Sequence, residues 1–593
     1  MSIPRLVEDN SESLRARYLM WIHDLGETKV NGKRIVDHLE IRPGLSYWWM
    51  TLLAQKCTYA ASPNIYHAIR LLACEDLCGS MNVRKIKVVT SHRELASEFH
   101  CWCLAQKRKC EITLLKTCLP THEDWHEIVY CFSTTLTGFS LIILYFIRRL
   151  ALWRADMPPR LAFNKGVMFF DILTHFDKSS AAVGKFQSSY WTKLPELIRK
   201  LGLNASWGHF FYRHHATPSA TEASKVVRGF NKGTTGKHFL IDECFNIWCL
   251  ARTLLDLCRL ILKGICIRKL PICFPPNSRF SFRHILKNDW QISLFGKSAA
   301  RSICQLNSLE SYLSSVPKQR LGIYIQENQP WEIALLHAWR SNGHGVIIGA
   351  PHTTIRFWDL RYFYDAKTFQ NKDKNALPIP DKVALNGPAA LGVYDTGLGP
   401  VDRLIEVEAL RFIHTKQPES SGKSINQIYS AKKTRPVLLV ATDLLDSNTQ
   451  IQLEWVAKAV KSRQDDLKIV IRPHPASDFS SAKYLNWQEL VDRTDLTLLL
   501  ERIDVIFCSN ASSIAVDGYL AGKTILTMLN GKTFNFSPLR GLSSSTNITS
   551  PEELRAELFA TALNNMNKQN KYFCFSKGLQ KWKTLLSEYY LLA

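Results

Sequence analysis

The 593-residue chain is too long for one hydrophobic core, so two domains are the natural expectation. Hydrophobic residues make up 46% and charged residues 21%, which excludes a largely disordered chain. A net charge of +23 calls for an anionic partner; without zinc-finger spacing, a basic-region zipper or an aromatic RNA-binding signature, a membrane surface and a phosphorylated substrate are favoured over nucleic acid.

Met1 to Tyr18 alternates charged and polar residues without an apolar h-region, so no signal peptide is expected. Residues 1–80 read as helical, with an aromatic cluster at Tyr47, Trp48 and Trp49. Lys85–Thr90 reads as a strand, Arg93 to Lys107 as a helix and Glu111–Leu115 as a strand, the alternation of a parallel α/β layer. The 16 cysteines gather in Cys57–Cys131 and Cys244–Cys304 with no repeated CxxC zinc spacing. They read as reduced, mostly buried thiols, which suits a cytoplasmic location.

Ile128 to Ile147 carries no charge and is followed by Arg148, Arg149 and Arg154. The run is just long enough to span a bilayer, but Ser133, Thr134, Thr135, Thr137, Gly138 and Ser140 dilute it. Burial or interfacial contact is expected ahead of spanning. Val167–Leu173 and Trp207–Tyr212 read as strands, with Trp191–Leu201 as a helix between them. In Phe245–Ile267 the charges Arg252, Asp256, Arg259 and Lys263 recur every three or four residues and share one helical face. Such a basic amphipathic helix suits an anionic leaflet, and plain packing fits it equally well.

After residue 300 the pattern sharpens. Leu321–Gln326 is a strand, Glu327-Asn-Gln-Pro330 a turn, Trp331–Ser341 a helix that Gly343 closes, and Val346–Gly349 the next strand, ending in Ala350-Pro-His352-Thr-Thr354. The polar stretch 366–382, with Pro378 and Pro380, marks the domain junction, giving domains 1–375 and 376–593. A second polar stretch, Lys416–Lys433, reads as a loop. Pro436–Ala441, Lys468–Ile471, Asp504–Cys508 and Thr524–Met528 are strands; Gln452–Ser462 and Ile514–Ala521 are helices. This is a Rossmann-like layout, in which ligands bind beyond the C-terminal strand ends.

Two segments there carry chemistry. Arg472-Pro473-His474-Pro475 follows a strand, its prolines stiffening a turn that presents two phosphate donors. Ser509-Asn510-Ala-Ser512-Ser513 precedes a helix, where free N–H groups attract anions or a side chain simply caps. A strand ending in His-Pro followed by a strand ending in paired serines resembles the bacterial polysialyltransferases, Kdo transferases and teichoic-acid polymerases. The resemblance implies a GT-B fold, two Rossmann-like domains facing a cleft. It also implies a CMP-activated ulosonic acid donor held by His474, Pro475, Ser512 and Ser513; apart from the resemblance, Arg472 and Asn510 are further candidates for substrate binding. Trp21-Ile-His-Asp-Leu-Gly-Glu27, Tyr47-Trp-Trp-Met50, Gln326-Glu-Asn-Gln-Pro-Trp-Glu332 and Val407-Glu-Ala-Leu-Arg411 look like a family of bacterial surface-carbohydrate proteins of O-antigen and capsule assembly.

The polysialyl enzymes take their base from an acidic-acidic-Gly motif, which Asp24-Leu-Gly-Glu27 only approximates. Glu327, after a strand, is the preferred base. Glu332 is second, with helix-dipole compensation as its plainer role. His352 should point to the same edge. No Asp-x-Asp setting, Walker A loop or GxGxxG is present, so neither a metal nor a cofactor is implied. The expected function is transfer of a Kdo- or sialic-acid-like sugar from its nucleotide donor to a glycan or lipid-linked acceptor, at the inner face of the cytoplasmic membrane. The rivals are a polyol-phosphate transferase and a non-catalytic assembly protein on the membrane.

Overall fold

The computed structural model describes residues 2–56, 64–81, 83–115, 123–153, 165–214, 216–232, 236–370, 373–394, 400–413, 435–461, 463–475, 477, 479, 482–531, 533–542, 545–559, 572–576 and 578–591. Two all-parallel sheets dominate it, the α/β, GT-B-like arrangement expected from the sequence. The first has seven strands: β1 Val167–Ile172, β2 Ala205–Phe210, β3 Lys237–Leu240, β4 Leu321–Ile325, β5 Val346–Ala350, β6 Lys382–Leu385 and β7 Leu404–Glu406. Their spatial order is β7-β6-β5-β4-β1-β2-β3. The second has five: β8 Val437–Ala441, β9 Lys468–Arg472, β10 Val505–Ser509, β11 Thr524–Met528 and β12 Ser545–Ile548, ordered β9-β8-β10-β11-β12. β2, β4, β10 and β11 are buried along their whole length, as strands covered on both faces must be.

Each sheet grows outward from a central strand, returns, and grows the other way. The order reverses between β1 and β4 in the first sheet and between β8 and β10 in the second. At such a reversal the two flanking connections leave in opposite directions, which opens a crevice at the C-terminal strand ends.

The helices used below are α1 Ser11–Glu27, α2 Glu123–Trp153, α3 Ile247–Cys266, α4 Arg283–Phe295, α5 Lys297–Ser315 and α6 Pro330–Ser341 in the first unit. α7 Asp446–Val460 and α8 Ile514–Leu520 flank the second sheet, and α9 Gln580–Leu591 ends the chain. α6 starts on Pro330, is closed by the Glu332–Gln329 capping box, and stops before Gly343 at φ +64°.

Several expectations change. Residues 1–80 are not continuously helical: α1 and the helix Asn64–Ser80 are separated by the hairpins Lys29–Arg34 and Glu40–Ser46. Lys85–Thr90 and Lys109–Leu114 do pair in parallel, but as a separate two-stranded sheet. The expected junction near 375 lies inside the first unit, because β6 and β7 follow it and pair onto β5. A polar, proline-bearing connection between parallel strands reads the same as a linker. α9 also returns to the first unit, where Trp582, Leu585 and Leu586 join its core. Buried Glu408 anchors that return by accepting the N–H groups of Lys581 and Trp582. The segment 416–433 lies outside the described residues. The described cysteines are free thiols; Cys103, Cys249, Cys304 and Cys508 are buried, whereas Cys101, Cys258 and Cys266 are exposed.

Candidate active site at the strand-order reversals

In the first sheet, β4 ends at Ile325 and delivers Glu327 to the reversal; its neighbour β5 delivers His352. Parallel strands in register end on one edge, so two residues just past adjacent strand ends meet. His352 Nε2 lies 3.8 Å from Glu327 Oε1, and Arg361 Nη1 lies 3.3 Å from Glu327 Oε2. Arg361 is itself clamped by both oxygens of Asp359 at 2.8 and 2.9 Å, which fixes the guanidinium against Glu327.

The Glu327 and Arg361 side chains are 22% and 18% exposed, so they are the parts of this cluster a substrate can reach. Burial raises its carboxyl above the usual range, with Arg361 opposing. His352 is driven down to about 3 by burial and by Arg411 and Arg361 nearby, so its imidazole is neutral at physiological pH. Its Nδ1 is buried without a hydrogen-bond partner among the described residues, and its ring meets the Tyr190 ring edge-on at 4.2 Å. Tyr190 in turn touches His175, which follows β1 on the other side of the reversal.

Glu332 does not belong to the reactive set. It is 1% exposed, and its two oxygens accept the N–H groups of Glu327, Asn328 and Gln329 at 2.9–3.1 Å. Burial pushes its carboxyl up to about 8 against those donors. Its work is to hold the turn that aims Glu327. Asp24 and Glu27 are spent on Lys367 and Arg34.

Arg411 lies near the boundary of the two units. It lines an open cavity of 1250 Å³ beside β1, with His175, Lys178, Lys185 and Lys193, and also borders His352 and Tyr190. Across the gap stands Asp517 on α8, whose carboxyl burial pushes up to about 6 while Arg411 pulls it back. A second cavity, of 430 Å³, lies between Thr354, Asn386 and Val393 of the first unit and Pro538, Arg540 and Tyr572 of the second. The chain passes very close here: a Cβ on Gly387 (φ +151°) would sit 2.5 Å from the Phe573 Cα, so only glycine fits.

At the second reversal neutral hydrogen bonds tie the strand ends together. Gln452 on α7 bridges the strand ends by donating to Ala441 O at 2.9 Å and Phe507 O at 3.1 Å. Thr442, just past β8, accepts the His474 N–H at 3.0 Å and so ties the His-Pro turn to the central strand. His474 and Ser512 follow strands that are not adjacent: β8 stands between β9 and β10. Their strand ends are therefore about 10 Å apart, two interstrand spacings. Arg472 is turned to the sheet edge, where it donates to Thr494 O. Asn510 is 7% exposed and spends its amide on Thr533 and Phe534, a loop that packs against Tyr66 and Trp358 of the first unit. It braces the units together. Pro475 and Ser513 are exposed and Ser512 is half-buried. Ser513 begins α8 without a capping bond from its side chain.

Sequence reasoning brought Glu327 and His352 to one edge and missed His175, Tyr190, Arg361 and Arg411. His175 follows a strand already recognised, so the same strand-end logic reaches it. Arg411 ends a quoted motif. Tyr190 and Arg361 carry no local signal.

The chain matches no protein-family model and no curated protein. Similar solved structures include the glycotransferase of kitacinnamycin, at 11% identity and TM-score 0.32, over 68% of this chain and 90% of that one. The S. aureus MnaA–UDP co-structure is 10% identical, TM-score 0.36, over 72% and 97%. The lipopolysaccharide outer core galactosyltransferase WaaB is 8% identical, TM-score 0.35, over 72% and 100%. Likeness at this level speaks to neither substrate nor residue roles.

Proposed function

We propose that the chain is a glycosyltransferase that uses a nucleotide-activated sugar. The observation that carries this reading is the partly exposed carboxylate Glu327, set just past a strand end at the reversal of one parallel sheet in a chain that holds a second such reversal. Glu327 takes the proton of the acceptor hydroxyl as that oxygen attacks the anomeric carbon and the nucleotide phosphate departs. His352, with a conjugate acid near 3, is too weak a base at neutral pH for this role. It is suited instead to hydrogen-bond the acceptor hydroxyl as a neutral imidazole. Arg411, with the lysines of the neighbouring cavity, would receive an anionic group on acceptor or donor.

The donor binds beyond β8 and β10, near Thr442, His474 and Ser512. A CMP-activated ulosonic acid is the donor supported by the resemblance of His474-Pro475 and Ser512-Ser513 to the sialyl and Kdo enzymes. A bacterial surface glycan as acceptor follows from the longer motif resemblance.

Thermal shift of the purified protein against CMP, CDP, UDP, GDP and dTDP, with His474→Ala alongside, tests this. A CMP shift that His474→Ala abolishes supports the ulosonate donor. A shift with another nucleotide keeps the transferase and removes the CMP reading. No shift in a folded sample overturns the proposal.

A further inference from the structure

Of the charged stripe of α3, Asp256 points inward, while Arg252, Arg259 and Lys263 are exposed. Asp256 is 1% exposed and meets Arg42 Nη2 at 2.7 Å, while Asn307 and Glu310 of α5 complete a buried network around the same guanidinium. Arg252 reaches that network through Glu310 at 3.0 Å. Beside those cations the outward face carries large apolar side chains: Trp248 is 80% exposed, and Ile247, Leu255, Leu262 and Ile265 are exposed with it, followed by Ile272 and Phe274.

α2 lies beside α3 and runs the other way. Gly138 of α2 and Gly264 of α3 both rest on the Phe295–Gly296 corner, and Tyr145 of α2 meets Phe245 just before α3 at 4.9 Å. Both helices pack on α5, so their outward faces look away from the same support. On α2 that face is Phe132, Leu136, Ile143, Leu144, Ile147 and Leu150, at helical spacing. The two serines on it are silent toward solvent: Ser133 Oγ donates to Tyr130 O and Ser140 Oγ to Leu136 O.

Exposed charge within these two segments has one sign. Arg252, Arg259, Lys263, Arg268 and Lys269 are exposed, whereas the one acid within Tyr130–Leu150 and Ile247–Phe274 is the buried Asp256. Large exposed aliphatics, an exposed tryptophan and a predominantly basic rim match an anionic lipid surface.

We propose that α2 and α3 together form a docking face for an anionic membrane and lie in its interface. Tyr130–Leu150 has the length and mean hydropathy, 1.6, of a spanning helix. Its inner side nevertheless packs on the protein along its length, with Thr134, Gly138, Ile142, Arg149 and Leu152 buried and Arg148 paired to Asp242. A helix held to its own domain on one side enters the lipid with the other side only. The face is separate from the site at Glu327, so it stands or falls independently of the proposed activity.

The test is sedimentation of the full chain with phosphatidylcholine vesicles, with and without phosphatidylglycerol. Wild type is expected to pellet with the phosphatidylglycerol vesicles and to be released by alkaline carbonate. Leu144→Glu combined with Leu262→Glu should weaken binding about tenfold or more, with circular dichroism and melting unchanged because both side chains are exposed. Arg268→Ala with Lys269→Ala should reduce the preference for phosphatidylglycerol several-fold. Wild type that stays in solution, or a double-Glu variant that binds as tightly, overturns the proposal. Resistance to carbonate would replace lying with spanning. A dimer dissolved by the double-Glu variant would show that a second copy covers the face.

Discussion

The two strand-order reversals have the same topology and different side chains at their strand ends. The one between β1 and β4 gathers Glu327, His352, Arg361, His175 and Tyr190, groups that shift one another's protonation. The one between β8 and β10 is built from Thr442, Gln452 and Asn510, whose hydrogen bonds go to backbone and to other neutral side chains. Parallel sheets open a crevice at any reversal. What the crevice does is set by the side chains delivered to it.

The largest effect should come from removing the Glu327 carboxylate. Glu327→Gln is expected to lower turnover about 10²–10³-fold, while the thermal shift given by nucleotide persists. The pH–rate profile should lose its acidic limb in the variant. If turnover falls less than the nucleotide shift does, the division of labour between the two reversals is wrong.

The next effect is on stability and isolates His352. Unfolded, this imidazole titrates near 6.5; folded, it is held down to about 3. As pH drops below 6.5 the unfolded chain gains a proton that the folded chain refuses. Stability is therefore lost between 6.5 and about 3, and the loss levels off below that. From pH 7 to pH 5 this amounts to about 2 kcal/mol, and His352→Gln should remove that part of the slope in urea midpoints.

Asn510→Ala probes the second reversal as a brace. It should cost about 1–3 kcal/mol in unfolding free energy, because two acceptors of the 533–534 loop lose their donor. Nucleotide affinity, measured on the folded variant by calorimetry, should stay within about twofold. Arg411→Ala gives a smaller signature: about a tenfold rise in KM for an anionic substrate at unchanged melting, since the side chain is exposed. An unchanged KM would take the positive wall out of the binding account.

Much of the layout was legible in the sequence. Residue runs such as Leu321–Ile325 and Val346–Ala350, bounded by turns and a proline-started helix, identify parallel α/β units because local propensity and burial agree there. Parallelism then sends Glu327 and His352 to one edge without further information. The stripe Arg252–Asp256–Arg259–Lys263 shows where such reading stops. Helical spacing says the charges share a face but not what faces them, and the answer for Asp256 is Arg42, 214 residues away. The same holds for the sheet orders, for β8 standing between His474 and Ser512, for β6 and β7 joining the first sheet, and for Arg361 and Arg411 closing on Glu327 and His352. Local backbone geometry is encoded within a few residues of itself. Strand order, burial of charge and the convergence of distant side chains depend on long-range packing, so only the tertiary structure decided them.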